Sequence, residues 1–155
     1  MLGNCLRYNA NMANDMRMLR IKEEDAVYPE LSYKICGLCF KTHNQLGRFR
    51  NEKQYSDFFE ELLKENRHEY IREKSLPVSF RGEAKNRNIP DFIIGGKVVV
   101  DFKAKDIVTK DDYYQMRRYL VSANKKLGLI VNFRQKVLYP KRILNKDWID
   151  SRHSN

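Results

Sequence analysis

The amino-acid sequence predicts an α/β sandwich, in which helices flank a central mixed β-sheet. Three observations predict this fold class. Two amphipathic helical patterns come first, alternating apolar and polar residues follow them, and one more helical pattern divides the strand-like segments into two groups. With 155 residues, 42% of them apolar, the chain suits one domain with a modest core. We expect a poorly ordered extension at residues 1–28, the domain at 29–145 and a polar tail at 146–155.

Two helices are predicted at the start of the domain. Residues 30–47 carry apolar side chains at helical spacing and end at Gly47, a residue suited to a helix C-terminus. Residues 52–66 carry one apolar stripe, formed by Tyr55, Phe58, Phe59, Leu62 and Leu63.

The apolar period then changes from helical to alternating. Residues 69–74 and 76–81 alternate as half-buried strands do. Residues 89–105, with the sequence IPDFIIGGKVVVDFKAK, predict two further strands joined at Gly95-Gly96.

The last part of the domain is predicted as one helix and two strands. Residues 109–124 begin with Thr109 and Asp112 at the spacing of a capping box and continue as a helix. The run LGLIVN at 127–132 is continuously apolar, as in a central strand buried on both faces. Residues 136–143 are predicted as an edge strand, because Pro140 cannot donate to a ladder. The predicted order is two helices, four strands, one helix and two strands.

The composition favours a polyanionic partner. Lys and Arg number 30 against 20 acidic residues, which gives a net charge of +10. Such an excess in a small domain suits nucleic acid or an anionic membrane surface; a basic surface that only maintains solubility is the alternative. No stretch approaches the roughly 20 apolar residues of a membrane span. The N-terminal residues lack the apolar segment of a secretory signal, and Met16 or Met18 is an alternative start.

The three cysteines, Cys5, Cys36 and Cys39, do not suit a disulfide framework. The spacing of Cys36 and Cys39 is that of a redox motif or half a metal site. Apolar neighbours at helical spacing instead favour two small core residues on a helix. We therefore expect the protein in the reducing cytoplasm.

Two aspartates and a lysine stand where a buried sheet is predicted. Asp101 and Lys103 are two residues apart on one strand, so they leave the same face of the sheet. Asp91 shares that face only if the hairpin turn contains three residues or a bulge; a two-residue turn at Gly95-Gly96 would send the two aspartates to opposite faces. A functional site therefore predicts the longer turn, which glycine tolerates because it adopts positive φ angles.

If the two aspartates converge, their chemistry suits a divalent metal. Two carboxylates, a backbone carbonyl and water molecules suit Mg²⁺ or Mn²⁺ better than zinc. The ion would activate a water molecule and stabilise charge on a phosphate, and Lys103 would orient that water or neutralise the phosphate. On spacing alone the alternative is favoured: Asp91 caps a loop, and Asp101 pairs with Lys103 at a solvent-exposed edge.

The motifs themselves resemble a known family. Pro90-Asp91, followed by Asp101-Phe102-Lys103, is similar to the signature of the PD-(D/E)XK nuclease superfamily. Within it the chain resembles the prokaryotic GxxExxxR proteins across residues 30–144. The other matching motifs are ELSYKICGLCFKTHNQLG, Glu52-x-x-Tyr55, Gln115-x-x-x-Tyr119-Leu120, LGLIVNF and KRIL.

The resemblance implies a restriction-endonuclease-like fold and a role for each motif residue. Asp91 and Asp101 would bind the metal together with the backbone carbonyl of Phe102, and Lys103 would be the catalytic lysine. Glu52 would be a further ligand or hold a water molecule, and Gln115 would contact substrate or brace Lys103. Without the resemblance, Glu52 is a helix N-terminal glutamate favoured by the dipole, and Gln115 is a solvated helix residue.

The chain also departs from that family. The glycine and arginine that name it are replaced by Phe49 and Ser56, and the second acid is Asp101 where glutamate is commoner. The first change puts the local backbone in doubt, not the metal site. Arg48, Arg50 and Lys53 form a basic segment that could touch phosphates. His43 could be a general base, but a structural histidine is favoured.

The leading functional interpretation is a metal-dependent nuclease, with DNA favoured over RNA. A phosphate-tracking groove could be lined by basic residues such as Arg72, Lys74, Arg81, Lys85, Arg87, Lys105, Arg117 and Arg118. No recognition helix or aromatic stacking motif is evident, so little sequence readout is expected. The alternatives are a non-catalytic nucleic-acid-binding or adaptor protein on the same fold, and a purely structural protein. A homodimer would suit cleavage of both strands.

Overall fold

The computed structural model describes residues 27–148. Within residues 27–148, the domain contains three helices and five strands. The helices are α1 (Pro29–Leu46), α2 (Glu52–Glu65) and α3 (Lys110–Ala123). The strands are β1 (Tyr70–Arg72), β2 (Phe92–Ile94), β3 (Val98–Lys103), β4 (Leu127–Asn132) and β5 (Lys141–Leu144). The predicted α/β sandwich with a mixed sheet is confirmed.

The five strands form one sheet in the order β1-β2-β3-β4-β5. All neighbouring pairs are antiparallel except β3 and β4, which are parallel and are joined by α3. A parallel pair needs such a crossover, because a tight turn cannot reverse the chain twice. The central strand β3 therefore has the hairpin partner β2 on one side and the crossover partner β4 on the other.

Alternation along the strands builds a core on each face of the sheet. Phe92, Val98, Val100 and Phe102 pack with α1 and α2. Ile93 and Val99, together with Ile130, pack instead with Met116, Tyr119 and Leu120 of α3. Asp101 and Lys103 lie two and four residues after Val99 on β3, so their side chains point to the same face of the sheet, the one covered by α3. That face carries the smaller core and contains the candidate site.

Helix ends follow the predicted signals. The amide of Gly47, at φ 74°, donates to the carbonyl of His43 and ends α1. Thr109 and Asp112 form the predicted capping box at the start of α3, and Asn51 and Gln54 form another at the start of α2. The N-cap of α2 is thus Asn51, and Glu52 is the first residue of the helix.

One predicted strand is wrong: residues 76–81 form no strand. Pro77 has no amide hydrogen to donate, the amide of Leu76 donates to Asn88 O at 2.8 Å, and the amide of Ser79 donates to Glu83 Oε2 at 2.6 Å. Leu76 is buried, whereas Phe80 is 61% exposed. The alternating pattern therefore belongs to a loop anchored by one leucine, and three strands rather than four separate α2 from α3.

The last predicted strand is correct in position but too long. The edge strand β5 begins at Lys141, directly after Pro140, and the preceding Val137 and Tyr139 are 77% and 68% exposed. Trp148 lies beside Lys126, whose Nζ is 5.3 Å from the centroid of the tryptophan ring.

Cys36 and Cys39 are buried in the core of α1, as predicted. Burial raises the pKa of the Cys39 thiol well above its ordinary value, and Cys36 adds to the effect. Cys5, the alternative start methionines, residues 1–26 of the predicted extension and residues 149–155 of the tail lie outside the described residues. Val27 lies in the main core. Within residues 27–148, no helix is long and apolar enough to cross a membrane.

Close packing of α3 on β4 depends on Gly128. A Cβ at Gly128 would overlap Met116 Sδ and would lie 2.8 Å from Met116 Cγ. We expect Gly128→Ala to lower the free energy of unfolding by about 1–3 kcal/mol, because the methionine must leave its packed position. Gly37→Ala is the control: a Cβ there meets nothing within 4 Å, and alanine in a helix interior should stabilise by about 0.5–1 kcal/mol. Urea unfolding measures both; equal effects of the two substitutions would contradict the packing argument.

Candidate active site

The hairpin turn between β2 and β3 brings the two aspartates to the same face. Ile94 pairs with Val98, so the turn contains three residues, of which Gly95 and Gly96 have φ angles of 60° and 64°. Continuing this register places Asp91 opposite Asp101. The longer turn required by a functional site is therefore present, and both glycines adopt the left-handed conformation that it needs.

Asp91 and Asp101 lie opposite each other, and each influences the charge of the other. Asp91 Oδ2 accepts the amide of Phe102 at 2.6 Å. Burial, and next the negative charge of Asp101, raise the pKa of Asp91 from 3.8 to about 8, against the opposing effect of the Phe102 hydrogen bond. The hydrogen bond with Asp101 and the charge of Glu52 raise it further. At neutral pH Asp91 is therefore mainly protonated in the absence of another cation.

Lys103 is bound on the same face by two acceptors. Its Nζ lies 2.7 Å from Asp101 Oδ2 and donates to Gln115 Oε1 at 2.8 Å. Asp112 Oδ1 is 4.0 Å away. Burial lowers the pKa of Lys103, but Asp101, with help from Glu52 and Asp112, outweighs burial and leaves the pKa above 10.5. The ammonium is therefore charged and can act as a hydrogen-bond donor and as a positive charge.

Helix α3 contributes the groups that position this lysine. Gln115 braces Lys103, which is one of the two roles considered for it. Asp112 is more than a cap: its Oδ2 pairs with Lys105 Nζ at 2.7 Å. Burial raises the pKa of Asp112, but the bonds from Lys105 and Thr109 outweigh it and hold the pKa below 3.8.

Tyr119 lies on the same helix face and is buried. Its Oη donates to Ile89 O at 3.3 Å, close to Asp91 in sequence. Burial, then the charges of Asp101 and Asp91, raise the pKa of Tyr119. Sequence reasoning did not assign site roles to Asp112 and Tyr119. Their spacing from Gln115, three and four residues, places all three side chains on one helix face and was the available signal.

Glu52 lies at the rim of the site. It is exposed in the first turn of α2, and its charge contributes to the raised pKa values of Asp91 and Lys103. The structure gives Glu52 no hydrogen bond to the aspartates. Of the predicted residues, Asp91, Asp101, Lys103 and Gln115 are in contact as a network, and Glu52 acts on them through its charge.

The donor set fits a hard divalent cation that has few protein ligands. Within residues 27–148, no group of three or more His, Cys, Asp or Glu side chains has the arrangement of a metal site. Two carboxylates remain, and Mg²⁺ is commonly held by one or two carboxylates, with water and phosphate oxygens completing its shell. The charge of Asp101 and burial both raise the pKa of Asp91, and a bound cation would compensate the same concentration of negative charge.

The backbone carbonyl of Phe102 is a candidate third ligand for the ion. Extending the β2–β3 register by two residues beyond Phe92 and Val100 would place Pro90 opposite Phe102, and at every second pair of an antiparallel ladder the opposed residues exchange both backbone hydrogen bonds. Proline has no amide hydrogen, so it cannot donate to the Phe102 carbonyl.

The predicted phosphate-tracking residues divide into two groups. Arg72 pairs with Asp57 and Glu60 of α2, and Lys105 pairs with Asp112. The exposed members are Lys74, Arg81, Lys85, Arg87, Arg117 and Arg118. His43 Nε2 lies 2.9 Å from Gln135 O and its ring lies against Phe133, which suits the structural role that the sequence favoured.

An α/β sandwich whose central hairpin carries opposed aspartates and a braced lysine defines a nuclease-like domain. A family model described as the PD-(D/E)XK nuclease superfamily matches residues 29–143. The chain belongs to this superfamily, and both signature segments, Pro90-Asp91 and Asp101-Phe102-Lys103, lie inside the matched region. Searches of curated proteins and of solved structures found no match.

Proposed function

We propose that the protein is a metal-dependent nuclease that hydrolyses phosphodiester bonds of nucleic acid, with DNA favoured. One observation carries the proposal: Asp91, Asp101 and the charged Lys103 form one contact network on the α3 face of the sheet. A network of paired buried carboxylates repels a phosphate unless a cation is bound, so it suits catalysis better than binding alone. The net charge of +10 supports a nucleic-acid substrate.

The chain's own residues divide the work of hydrolysis. Asp91, Asp101 and the Phe102 carbonyl would hold Mg²⁺ or Mn²⁺, and Glu52 would hold a water molecule at the rim. The bound ion supplies an activated water molecule and stabilises charge on the phosphate. Lys103, with two donors used by Asp101 and Gln115, keeps a third N–H for the attacking water or a phosphate oxygen. Because its ammonium is charged, Lys103 acts as a donor and not as a general base.

The narrower assignments stay predictions. These are membership of the prokaryotic GxxExxxR proteins, magnesium as the natural ion, DNA as the substrate, a cytoplasmic location and a homodimer. Phe49 and Ser56 replace the glycine and the arginine of the motif that names the narrower family, whereas the glutamate of that motif is present as Glu52.

The proposal predicts cleavage that requires a divalent cation. Supercoiled plasmid and an end-labelled single strand are incubated with the protein in Mg²⁺, Mn²⁺ or EDTA. We expect cutting in either metal and none in EDTA, because without the ion Asp91 and Asp101 carry no activated water. Protein carrying Lys103→Ala and purified in parallel controls for a contaminating nuclease. Folded wild-type protein that binds DNA and cuts neither substrate in any metal would contradict the proposal and favour the non-catalytic adaptor.

A further inference from the structure

An exposed aromatic ring, Phe49, lies beside two arginines and three residues before Glu52. Phe49 is 77% exposed, more than any other Phe, Tyr or Trp among residues 27–148. The guanidinium carbons of Arg48 and Arg134 lie 5.1 Å and 5.7 Å from its ring centroid. Neither arginine has an acidic partner within the described part of the chain, so both positive charges are available to an anionic ligand.

The loop that carries Phe49 is held in place. Arg48 Nε donates to Arg134 O at 2.9 Å. Tyr55 Oη donates to Gly47 O at 2.7 Å and accepts the amide of Arg50 at 3.2 Å. The Tyr55 ring stacks on Phe133 at a centroid distance of 4.2 Å. Phe49 is thus presented to solvent by a fixed backbone, which reduces the entropy lost when a ligand stacks on it.

This ring is connected to the catalytic strand through β4. Asn132 Oδ1 accepts the amides of both Lys105 and Arg134 at 3.2 Å, and Asn132 is the register partner of Lys103. On the other side, Glu52 follows Phe49 by three residues and lies in the first turn of α2. Through Arg134 and through Glu52, the ring thus adjoins two segments that border the candidate site.

We propose that Phe49, Arg48 and Arg134 form a stacking platform for an unpaired nucleobase of the substrate strand. The inference rests on the proposed nuclease function and specifies its substrate class: DNA with single-stranded character next to the cut. A base in a duplex has both faces covered by its neighbours, whereas an unpaired base can stack on the exposed ring. The two guanidinium groups attract the flanking phosphates and add cation–π contact.

The platform predicts a binding defect confined to single strands. Fluorescence anisotropy measures binding of a labelled single-stranded oligonucleotide and of the matching duplex, in Ca²⁺ so that a hard cation is present. Phe49→Ala should weaken single-strand binding about tenfold, because base–aromatic stacking is lost, and should change duplex binding less than about twofold. Phe49→Tyr should restore binding. Phe80→Ala, which removes the same ring from another exposed position, should bind as wild type does.

A second measurement keeps the test independent of how well the variants fold. A single strand made of abasic nucleotides keeps the phosphates but offers no base. Wild-type protein should bind it about tenfold more weakly than the normal strand, and Phe49→Ala should bind the two alike. Unchanged single-strand binding by Phe49→Ala, equal losses on duplex and single strand, or undiminished wild-type affinity for the abasic strand would each overturn the platform. Cleavage in metal would leave the nuclease proposal standing in any of these cases.

Discussion

Replacing Lys103 by alanine is expected to reduce metal-dependent cleavage by about 10²–10³-fold, the range for loss of one preorganised donor to a charged transition state. The ammonium is the positive group that contacts both Asp101, at 2.7 Å, and Gln115, at 2.8 Å. Its bracing by α3 sets the direction of the remaining N–H. The methyl group of alanine supplies neither the charge nor the donor. Initial rates on plasmid and on a labelled single strand, in Mg²⁺ and in Mn²⁺, measure the effect.

Two comparisons separate catalysis from folding and from net charge. Lys64→Ala removes one positive charge from the far end of α2, where the lysine side chain is 54% exposed and pairs with Glu61, and should cut at the wild-type rate. The single tryptophan, Trp148, docks beside Lys126 and reports folding by fluorescence. A folded Lys103→Ala protein that cuts within tenfold of wild type would refute the assigned role of Lys103.

The elements that the sequence predicts best are those whose signals are local. Residues 127–132 form β4 with both predicted ends, because a continuous apolar run suits only a strand covered on both faces. The start of α3 is correct because Thr109 and Asp112 satisfy each other's backbone within four residues. The strand predicted at residues 76–81 is wrong for the opposite reason. The amides of Leu76 and Ser79 donate to Asn88 and Glu83, which lie outside the segment, and apolar periodicity carries no information about such partners.

The candidate site was predictable in its residues but not in its geometry. Spacing placed Asp101 and Lys103 on one face, yet the position of Asp91 depended on a turn that could contain two or three residues. The three-residue turn depends on the backbone conformations of Gly95 and Gly96 and on the pairing of β2 with β3. A turn one residue shorter would place Asp91 on the opposite face of the sheet.

The contributions of α3 and Phe49 were missed or left open because they depend on tertiary contacts. The capping-box spacing explains Asp112 whether or not Lys105 lies beside it, so the sequence does not predict the ion pair between the two residues. In the sequence, Phe49 indicates only the loss of a glycine from a motif. A single exposed aromatic residue has no periodicity, and the role proposed for it depends on the approach of Arg134, far along the chain.

The stability of the metal-free protein is expected to fall as pH rises from about 4 to about 8. Asp91 has an ordinary pKa of 3.8 and a folded-state pKa of about 8. Between these two pKa values the folded state binds more protons than the unfolded state. The contribution of Asp91 to stability is therefore fully present below pH 3.8 and is lost as the pH rises toward 8. Each tenfold change in proton affinity is worth about 1.4 kcal/mol, which sets an upper limit of about 6 kcal/mol. Because Asp91 is partly accessible to water, we expect roughly 2–4 kcal/mol in urea unfolding with EDTA.

Asp91→Asn should abolish this pH dependence and make the metal-free protein more stable at pH 8–9. The amide oxygen of asparagine can accept the Phe102 amide, and its NH₂ group can donate to Asp101, so the neutral side chain keeps both bonds. Below about pH 4, where Asp91 is protonated in both the folded and the unfolded state, wild type and variant should be nearly equal. Asp57→Asn, at a carboxylate that is 56% exposed and pairs with Arg72, should leave the wild-type slope unchanged.

The same substitution should have the opposite effect when a divalent ion is added. In wild type at pH 9, Mg²⁺ at about 100 times its Kd should stabilise by about 2.7 kcal/mol. The same Mg²⁺ concentration should stabilise less at pH 6, because the ion must then displace the proton of Asp91. Asp91→Asn should lose most of this stabilisation together with cleavage. A pair of carboxylates that only maintained the fold would destabilise the protein when neutralised and would not respond to Mg²⁺. A variant that is less stable than wild type at pH 9 in EDTA, or that still gains full stabilisation from Mg²⁺, would show that Asp91 is structural and would remove it from the metal site.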